Sequence, residues 1–232
     1  MDSITLSGRT ERHLAEFGGC QVHAEVVTPL NQLIQDASAA GFDLALASGF
    51  RSFERQLLIW NEKAAGKRPV LADDGTPLDI SSLMPEELMF AILRWSALPG
   101  ASRHHWGTDM DIYDRRCMPE GYRVKLTLDE TQGEGVFAAM HTWLDSYLAQ
   151  SKIGFFRPYR RLLDGVAPEP WHLSYAPVAM HFQNAMTLET LRSVVASADI
   201  ALKTEVLRHL EEIYERFVWV PWHLYPEVYR PC

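Results

Sequence analysis

The hydrophobic residues in the first hundred positions predict a helix, a strand and two further helices. Apolar residues fall on one helical face in TPLNQLIQDASAAGF (28–42), in SFERQLLIWNEKAAG (52–66) and in MPEELMFAILRWSAL (84–98). Between the first two helices, an alternating strand pattern ends in a glycine turn in FDLALASGF (42–50). Residues 66–84 are rich in Pro, Gly and Asp, which indicates a surface loop or short hairpin.

The second half of the chain predicts more strands and helices. A strand with alternating apolar residues is expected in YRVKLTLDE (122–130), and a helix in GEGVFAAMHTWLDSYLAQ (133–150). Two short strands are expected in IGFF (153–156) and WHLSYA (171–176), before a mostly helical end of about sixty residues. Because the strands are separated irregularly by helices, we predict an α+β fold with a central, mainly antiparallel sheet flanked by helices and extra C-terminal helices.

We expect one domain over residues 1–232, because no linker divides the chain and its length allows one sizeable core. The residues that carry chemistry fall within about 25–176, and 177–232 form a C-terminal helical extension. This extension ends in an aromatic tail, FVWVPWHLYPEVYRPC, which we expect to pack along the core of its own domain.

Composition and charge exclude some classes of partner. Hydrophobic residues make up 47% of the chain and charged residues 22%, values typical of a packed globular protein. The formal net charge is −8, from 22 Lys and Arg against 30 Asp and Glu, and no basic block stands out. A nucleic-acid partner, which requires clustered positive charge, is therefore not expected.

The cysteines and the N-terminal segment bear on the compartment. Cys20, Cys117 and Cys232 are far apart and form no CxxC pair, which argues against a disulfide scaffold or a cysteine zinc site. The N-terminal residues lack the apolar region of a signal peptide, and no apolar run approaches the ~18 residues of a membrane span. We therefore expect a cytoplasmic protein; a leader removed from a precursor would instead allow the periplasm or cell envelope.

Two kinds of metal-ligating side chain lie close together in SRHHWGTDMDIYD (102–114). His104 and Asp111 are separated by Gly107, a turn residue that allows the chain to fold back and bring imidazole and carboxylate together. Both groups are good zinc ligands, and a catalytic zinc ion usually takes three protein ligands and leaves a fourth place for water. A third ligand is therefore expected elsewhere in the chain.

The best candidate for the third ligand lies in PEPWHLSY (168–175). His172 opens a predicted strand, and Glu169 stands three residues earlier, held extended by the proline that follows it. This arrangement places a carboxylate beside the metal without using it as a ligand, as a general base requires. Two histidines and one aspartate favour one zinc ion over calcium or magnesium, which prefer oxygen ligands.

Two neighbouring residues compete for the ligand positions. Asp109 lies two residues before Asp111, and the periodicity of a strand puts both on the same side. His105 directly follows His104, and because successive strand residues point in opposite directions, at most one of the two histidines should reach the metal. From the residues alone, both alternatives stay open.

Together with SGFRS (48–52), these motifs resemble those of the zinc D-alanyl-D-alanine carboxypeptidases and their L,D-carboxypeptidase relatives. The family shares its fold with lysostaphin-type endopeptidases and hedgehog, and its pattern is an upstream S-G-[YF]-R-S, then S-x-H-x-x-G-x-x-x-D and E-x-x-H. SGFRS, SRHHWGTDMD and EPWH match it in order, and the resemblance covers roughly residues 25–176. The spacing of the family pattern selects Asp111 as the ligand, although the family commonly has alanine where this chain has Asp109.

The resemblance implies a zinc-dependent carboxypeptidase that removes the terminal D-alanine from peptidoglycan stem peptides or muropeptides, with D,D- or L,D-specificity. It implies one zinc ion on His104, Asp111 and His172. Glu169 would take a proton from the zinc-bound water and return it to the leaving D-amino acid, so no covalent enzyme intermediate is needed.

Four further side chains receive roles from the same resemblance. Arg51 would either bind the terminal carboxylate of the substrate or stabilise the oxyanion on the scissile carbonyl, and both alternatives stay open. Ser102 and Gln56 are expected to donate hydrogen bonds to the peptide. Tyr175, downstream on the predicted strand, is expected to point into the same cleft.

Two other functions compete with this hypothesis. One is a peptidoglycan endopeptidase that cuts inside cross-bridges; a carboxypeptidase needs a closed pocket, whose wall residues 66–84 could form. The other is a non-catalytic, hedgehog-like module that keeps zinc for structure alone. The presence of Glu169 counts against the second alternative, because a structural metal site requires no base.

Overall fold

The computed structural model describes residues 1–150, 152–160 and 165–230, so that Cys232 and part of the segment between the strands predicted at 153–156 and 171–176 lie outside the described residues. The α-helices are α1 (Ser3–Leu6), α2 (Val27–Ala39), α3 (Phe53–Ala64), α4 (Pro85–Trp95), α5 (Leu128–Thr131), α6 (Ala138–Gln150), α7 (Ala176–Ala185), α8 (Leu188–Ser197), α9 (Lys203–Arg208) and α10 (Leu210–Ile213). A π-helical turn, Tyr214–Val218, continues α10. The strands are β1 (Leu14–Phe17), β2 (Cys20–His23), β3 (Leu44–Ser48), β4 (Asp109–Asp114), β5 (Phe155–Phe156) and β6 (His172–Tyr175).

The strands form two antiparallel sheets. A four-stranded sheet has the order β3-β4-β6-β5, and β1 and β2 form a separate hairpin. The predicted α+β fold with a mainly antiparallel sheet and flanking helices is therefore confirmed. No helix within the described ranges is both long enough and apolar enough to cross a membrane.

The central sheet has one apolar face, and its other face carries two of the predicted metal ligands. Met110 and Ile112 of β4 and Leu173 of β6 pack into a core with α2 and α6. Because successive side chains of a strand point to opposite faces, Asp111 and His172 leave the sheet on the other side. The alternation that builds the core thus also directs the ligand candidates away from it.

Helices from both halves of the chain form a second core. Trp60 of α3 and Ile92 of α4 belong to the same buried cluster as Leu191 of α8 and Leu210 of α10. The aromatic tail packs back on the domain, as its composition predicts. Its Tyr225 is fully buried and lies 4.3 Å from Phe156, measured between ring centroids.

The strand predicted at 122–130 is wrong. Backbone N–H groups of Lys125 and Thr127, together with the Tyr122 hydroxyl, donate to the buried carboxylate of Glu130. Leu126 has a left-handed backbone (φ 57°). The segment therefore folds around the Glu130 carboxylate. This side chain accepts the backbone hydrogen bonds that a neighbouring strand would otherwise accept.

Candidate active site

Two ligand candidates stand side by side on the inner strands of the sheet. Asp111 of β4 is the register partner of His172 of β6, so both side chains leave the sheet on the same face. His172 Nδ1 lies 3.5 Å from Asp111 Oδ1. Antiparallel pairing therefore joins two motifs that are far apart in the sequence.

His104 reaches the same point from the 3-10 turn Arg103–Trp106. Gly107 ends this turn with a left-handed backbone (φ 69°), and a Cβ added there would lie 2.7 Å from a neighbouring backbone nitrogen. Glycine is therefore required for the tight return into β4. His104 Nε2 lies 3.5 Å from Asp111 Oδ2, and one ligand atom from each of His104, Asp111 and His172 lies within 4.8 Å of the others.

Hydrogen bonds orient the two imidazole rings so that one nitrogen of each faces the aspartate. His104 Nδ1 donates to the carbonyl of Gly49 at 2.8 Å, which leaves Nε2 facing Asp111. His172 Nε2 donates to Asp109 Oδ1 at 2.9 Å, which leaves Nδ1 on the ligand side. Histidines that bind a metal commonly have the second nitrogen held in this way.

Asp111 is oriented from the neighbouring strand. A β-bulge between Leu46 and Ser48 interrupts the alternation of β3, and the Ser48 hydroxyl donates to Asp111 Oδ2 at 2.5 Å. Ser48 also opens the SGFRS motif. One residue of that motif therefore supports a ligand candidate directly.

Asp109 supports His172 instead of joining the ligand set. Its fully buried carboxylate accepts hydrogen bonds from His172, from Arg103 Nε at 2.8 Å and from Thr108 Oγ1 at 2.6 Å. Burial disfavours the charged carboxylate, but Arg103 and His172 hold the pKa of Asp109 well below its usual range. Of the two competing aspartates, Asp111 faces the ligand atoms and Asp109 lies behind His172.

The two histidines of the ligand set differ in how their surroundings affect protonation. Burial lowers the pKa of His104 to about 4, against the opposing effect of Asp111, so the imidazole is neutral at pH 7. Burial also disfavours charge on His172, but hydrogen bonds with Asp109 and Glu169 raise its pKa to about 9. Two buried imidazoles and a carboxylate whose ligand atoms converge fit a divalent metal ion, and this donor set fits zinc.

Glu169 stands beside the three converging residues. Its Oε2 lies 3.5 Å from His172 Nδ1, and its side chain is 17% exposed. Its backbone nitrogen donates to the Tyr159 carbonyl at 2.6 Å, and the Tyr159 ring meets the His172 ring edge-on at 5.0 Å. Glu169 is therefore held close to the ligands while it remains accessible, as a carboxylate that transfers protons requires.

Arg51 lies next to His104 and is supported from behind. Its backbone nitrogen donates to the His104 carbonyl at 3.1 Å, and its Nη1 donates to Gln56 Oε1 at 3.0 Å. Gln56 Nε2 donates in turn to the Ala97 carbonyl at 2.7 Å. Gln56 is fully buried, so the structure makes it a support for Arg51, contrary to the expectation that it contacts the peptide.

Tyr175 also differs from its predicted place. It stands three residues after His172 on β6, so its side chain points to the opposite face of the sheet. There it packs against Phe155, with the ring centroids 5.1 Å apart. The structure therefore places Tyr175 away from the cleft that His172 faces.

His105, the competitor of His104, has a structural position. Its Nδ1 donates to the Arg51 carbonyl at 2.6 Å, and its Nε2 accepts from the Gly100 backbone at 3.0 Å. Burial lowers the pKa of His105 to about 3, so the ring is neutral. His105 therefore fixes the backbone of Arg51, while His104 faces the ligand set.

A cavity of about 230 Å³ opens beside the ligand candidates, and Arg51, Ser102 and Glu169 line it. Leu71 from the segment 66–84 and Phe217 from the C-terminal extension form other parts of its wall.

Several residues at this site are not predicted from the sequence. They include the lining residues Lys63, Trp95, Tyr159 and Trp171, and Arg103, which also holds Asp109.

The sequence signal for these missed residues is weak. Arg103 and Trp171 each stand directly before a predicted ligand, and that position is the one cue the sequence offers. Lys63 lies in a helical pattern with other charged residues, and Tyr159 lies in a loop, so nothing in their spacing marks them.

Comparison with known families agrees with the motifs. The family model described as VanY, D-alanyl-D-alanine carboxypeptidase, matches residues 19–178, which is more than half of the chain. The matched range contains the three converging residues and Glu169.

The chain is also similar to individual proteins and to a solved structure. An uncharacterized protein of Haemophilus influenzae is 41% identical over 98 residues, which cover 40% of this chain and 67% of that protein. The D-alanyl-D-alanine carboxypeptidase of Enterococcus faecalis is 26% identical over 163 residues, 69% of this chain and 50% of the relative, so the chain spans half of that relative's length. The structure of VanYB in complex with D-alanine-D-alanine matches with a TM-score of 0.50 and 23% identity, over 77% of this chain and 86% of the other, which shows a shared fold.

Proposed function

Because the chain belongs to the VanY family of D-alanyl-D-alanine carboxypeptidases, we propose that it is a zinc-dependent carboxypeptidase. Its proposed reaction removes the terminal D-alanine from peptidoglycan stem peptides or muropeptides. The observation that carries this proposal is the convergence of His104, Asp111 and His172 with Glu169 beside them. Three metal ligands and one accessible, unligated carboxylate are the groups that hydrolysis by a zinc-activated water uses.

His104, Asp111 and His172 would hold the zinc ion. Zinc in a site with three protein ligands supplies Lewis acidity and lowers the pKa of a coordinated water to ~7. Ser48 and Asp109 hold two of the ligands in place, and their hydrogen bonds keep the ligand atoms oriented before the substrate binds.

Glu169 and Arg51 are the proposed catalytic residues. Glu169 accepts a proton from the attacking water and then donates it to the nitrogen of the leaving D-amino acid as the C–N bond breaks. The Arg51 guanidinium, held by Gln56 at 3.0 Å beside His104, stabilises negative charge on the scissile carbonyl oxygen. The water supplies the oxygen of the new carboxylate, so no side chain becomes acylated.

The size of the cavity supports removal of a small terminal residue. At about 230 Å³ it is smaller than the ~300–1,000 Å³ of typical ligand pockets. Leu71 and Phe217 narrow it from segments outside the sheet. A pocket of this size suits a D-alanine at the end of a peptide better than the branched interior of a cross-bridge.

The test is product analysis with three substrates and the zinc-loaded protein. We would incubate it with a stem peptide ending in D-Ala-D-Ala, with one in which D-alanine follows an L-centre, and with a cross-linked dimer, and identify the products by mass spectrometry. Release of single D-alanine from either linear peptide, absent in His104→Ala, is the expected result. Cleavage confined to the cross-linked dimer would instead indicate an endopeptidase, and binding of zinc without any cleavage would indicate a non-catalytic module.

A further inference from the structure

A lysine outside the recognised motifs lines the catalytic cavity. Lys63 lies in the last turn of α3 and borders the cavity together with Arg51 and Glu169. Because helical side chains lean towards the N-terminus of their helix, Lys63 extends back in the direction of Arg51, which precedes the same helix. Lys63 therefore contributes a cationic side chain to the wall of the cavity.

This ammonium group has no hydrogen bond or ion pair within the described parts of the chain. Lys63 is half-buried, and burial and the neighbouring Arg68 lower its pKa, whereas Glu169 raises it. A partly desolvated cation without a partner is stabilised by an anion that enters its cavity. The ligand of Lys63 is therefore expected to carry negative charge on the side of the cavity that contains Glu169.

The chemistry of the proposed reaction identifies that anion. The leaving nitrogen and the terminal carboxylate of a peptide are attached to the same α-carbon. A base that protonates this nitrogen must therefore lie close to the carboxylate as well. Both cations line the cavity with Glu169. Arg51, however, precedes α3 and its backbone is bonded to His104, next to the metal ligands, whereas Lys63 enters the cavity from the last turn of α3.

We infer that Lys63 binds the terminal carboxylate of the substrate, and that Arg51 is left to stabilise the oxyanion at the scissile carbonyl. This inference rests on the proposed function and deepens it. Lys63 is then the residue that makes the enzyme prefer a free chain end, and Arg51 acts on the reacting carbonyl. The two cations of the cavity have separate roles.

The experiment compares a peptide ending in D-alanine with the same peptide ending in D-alanine amide. The wild-type protein, Lys63→Met, Lys63→Arg and the exposed control Lys67→Met would be loaded with zinc and assayed for KM and kcat on both peptides. Dissociation constants would be measured by calorimetry in a Glu169→Gln background, where cleavage is slow compared with binding.

The wild-type protein and Lys67→Met should favour the free acid over the amide by about 10- to 100-fold, the range of one charge-assisted hydrogen bond. Lys63→Met should lose most of this preference, mainly through KM and Kd, and Lys63→Arg should recover part of it. Retention of the wild-type preference in Lys63→Met would overturn the inference. If Lys63 controls the binding preference but the wild-type protein cleaves neither peptide, the inference stands and the proposed function fails.

Discussion

Asp109→Asn tests the claim that Asp109 supports the metal site without binding the metal. The wild-type carboxylate is fully buried and forms an ion pair with Arg103, whose side chain is only 1% exposed. Asparagine has nearly the same shape but removes the charge. The guanidinium of Arg103 then stays buried without a counterion, while the imidazole of His172 loses its charged hydrogen-bond acceptor.

The expected magnitudes follow from these two losses. Removal of one partner from a buried ion pair costs about 3–5 kcal/mol of folding free energy. Loss of the group that orients a ligating histidine weakens metal binding by about 10- to 100-fold. Asp109→Asn should therefore lower the free energy of unfolding in urea by about 3–5 kcal/mol and still bind zinc, with reduced affinity, in a competition with a chelator.

Two control variants make this prediction specific. Asp114→Asn changes another buried aspartate of β4 that accepts from backbone groups of residues 43 and 116, and it should cost about 1–2 kcal/mol without an effect on zinc. Arg103→Met combined with Asp109→Asn removes both charges and should be less destabilised than Asp109→Asn alone. Complete loss of zinc in Asp109→Asn would make Asp109 a ligand, and a cost below about 1 kcal/mol would refute the buried-pair argument.

Two further predictions concern the fold around the site. Gly107→Ala should lower the free energy of unfolding by about 1–3 kcal/mol in thermal unfolding and weaken zinc binding, because the added Cβ would lie 2.7 Å from a backbone nitrogen. The control is Gly75→Ala, where the backbone is also left-handed but the added Cβ meets open space. This variant should be less destabilised, and equal losses in the two variants would refute the steric argument. Burial, with Arg157 adding to it, lowers the pKa of His141 to about 3, below the ~6.5 of a histidine in the unfolded chain. The neutral imidazole therefore contributes its full share of the free energy of unfolding above pH 6.5. This contribution falls as the pH drops below 6.5, by up to about 1.4 kcal/mol per pH unit. His141→Gln should flatten the urea-unfolding profile between pH 6 and 4, and an unchanged slope would contradict this.

The ligand candidates could be predicted because their chemistry is local in the sequence. His104, Gly107 and Asp111 lie within one short segment, and their residue types and spacing already limit what they can bind. The sequence predicts a strand at His172, and antiparallel pairing with β4 places this residue opposite Asp111. Strand periodicity gives Asp109 and Asp111 the same face, so the spacing of the family motif was needed to select Asp111, and the structure adds what Asp109 does instead.

The supporting network could not be predicted, because its partners come from distant parts of the chain. Arg103 donates to Asp109 and Ser174 on the sheet, and to Gln183 and Tyr225 in the C-terminal extension. No spacing rule connects these positions. The extension, which the motifs leave unexplained, therefore stabilises the buried cation behind the metal site.

The wrong strand at 122–130 has a related cause. Its alternating residues satisfy the pattern of a strand, but the pattern contains no information about which group accepts the backbone hydrogen bonds. Here Glu130 accepts them, and the segment remains outside the sheet. Periodicity predicts which residues are buried more reliably than it predicts the bonding partner.

The most direct test of the account is the rate of D-alanine release by zinc-loaded Glu169→Gln, measured together with its zinc content. Glutamine preserves the size of the side chain but cannot accept a proton from the attacking water. If Glu169 transfers the proton, the variant should hold about one zinc ion per chain and release D-alanine at a rate about 10²- to 10⁴-fold below that of the wild-type protein. A variant that retains zinc and releases D-alanine at the wild-type rate would contradict the role of Glu169 and the mechanism built on it.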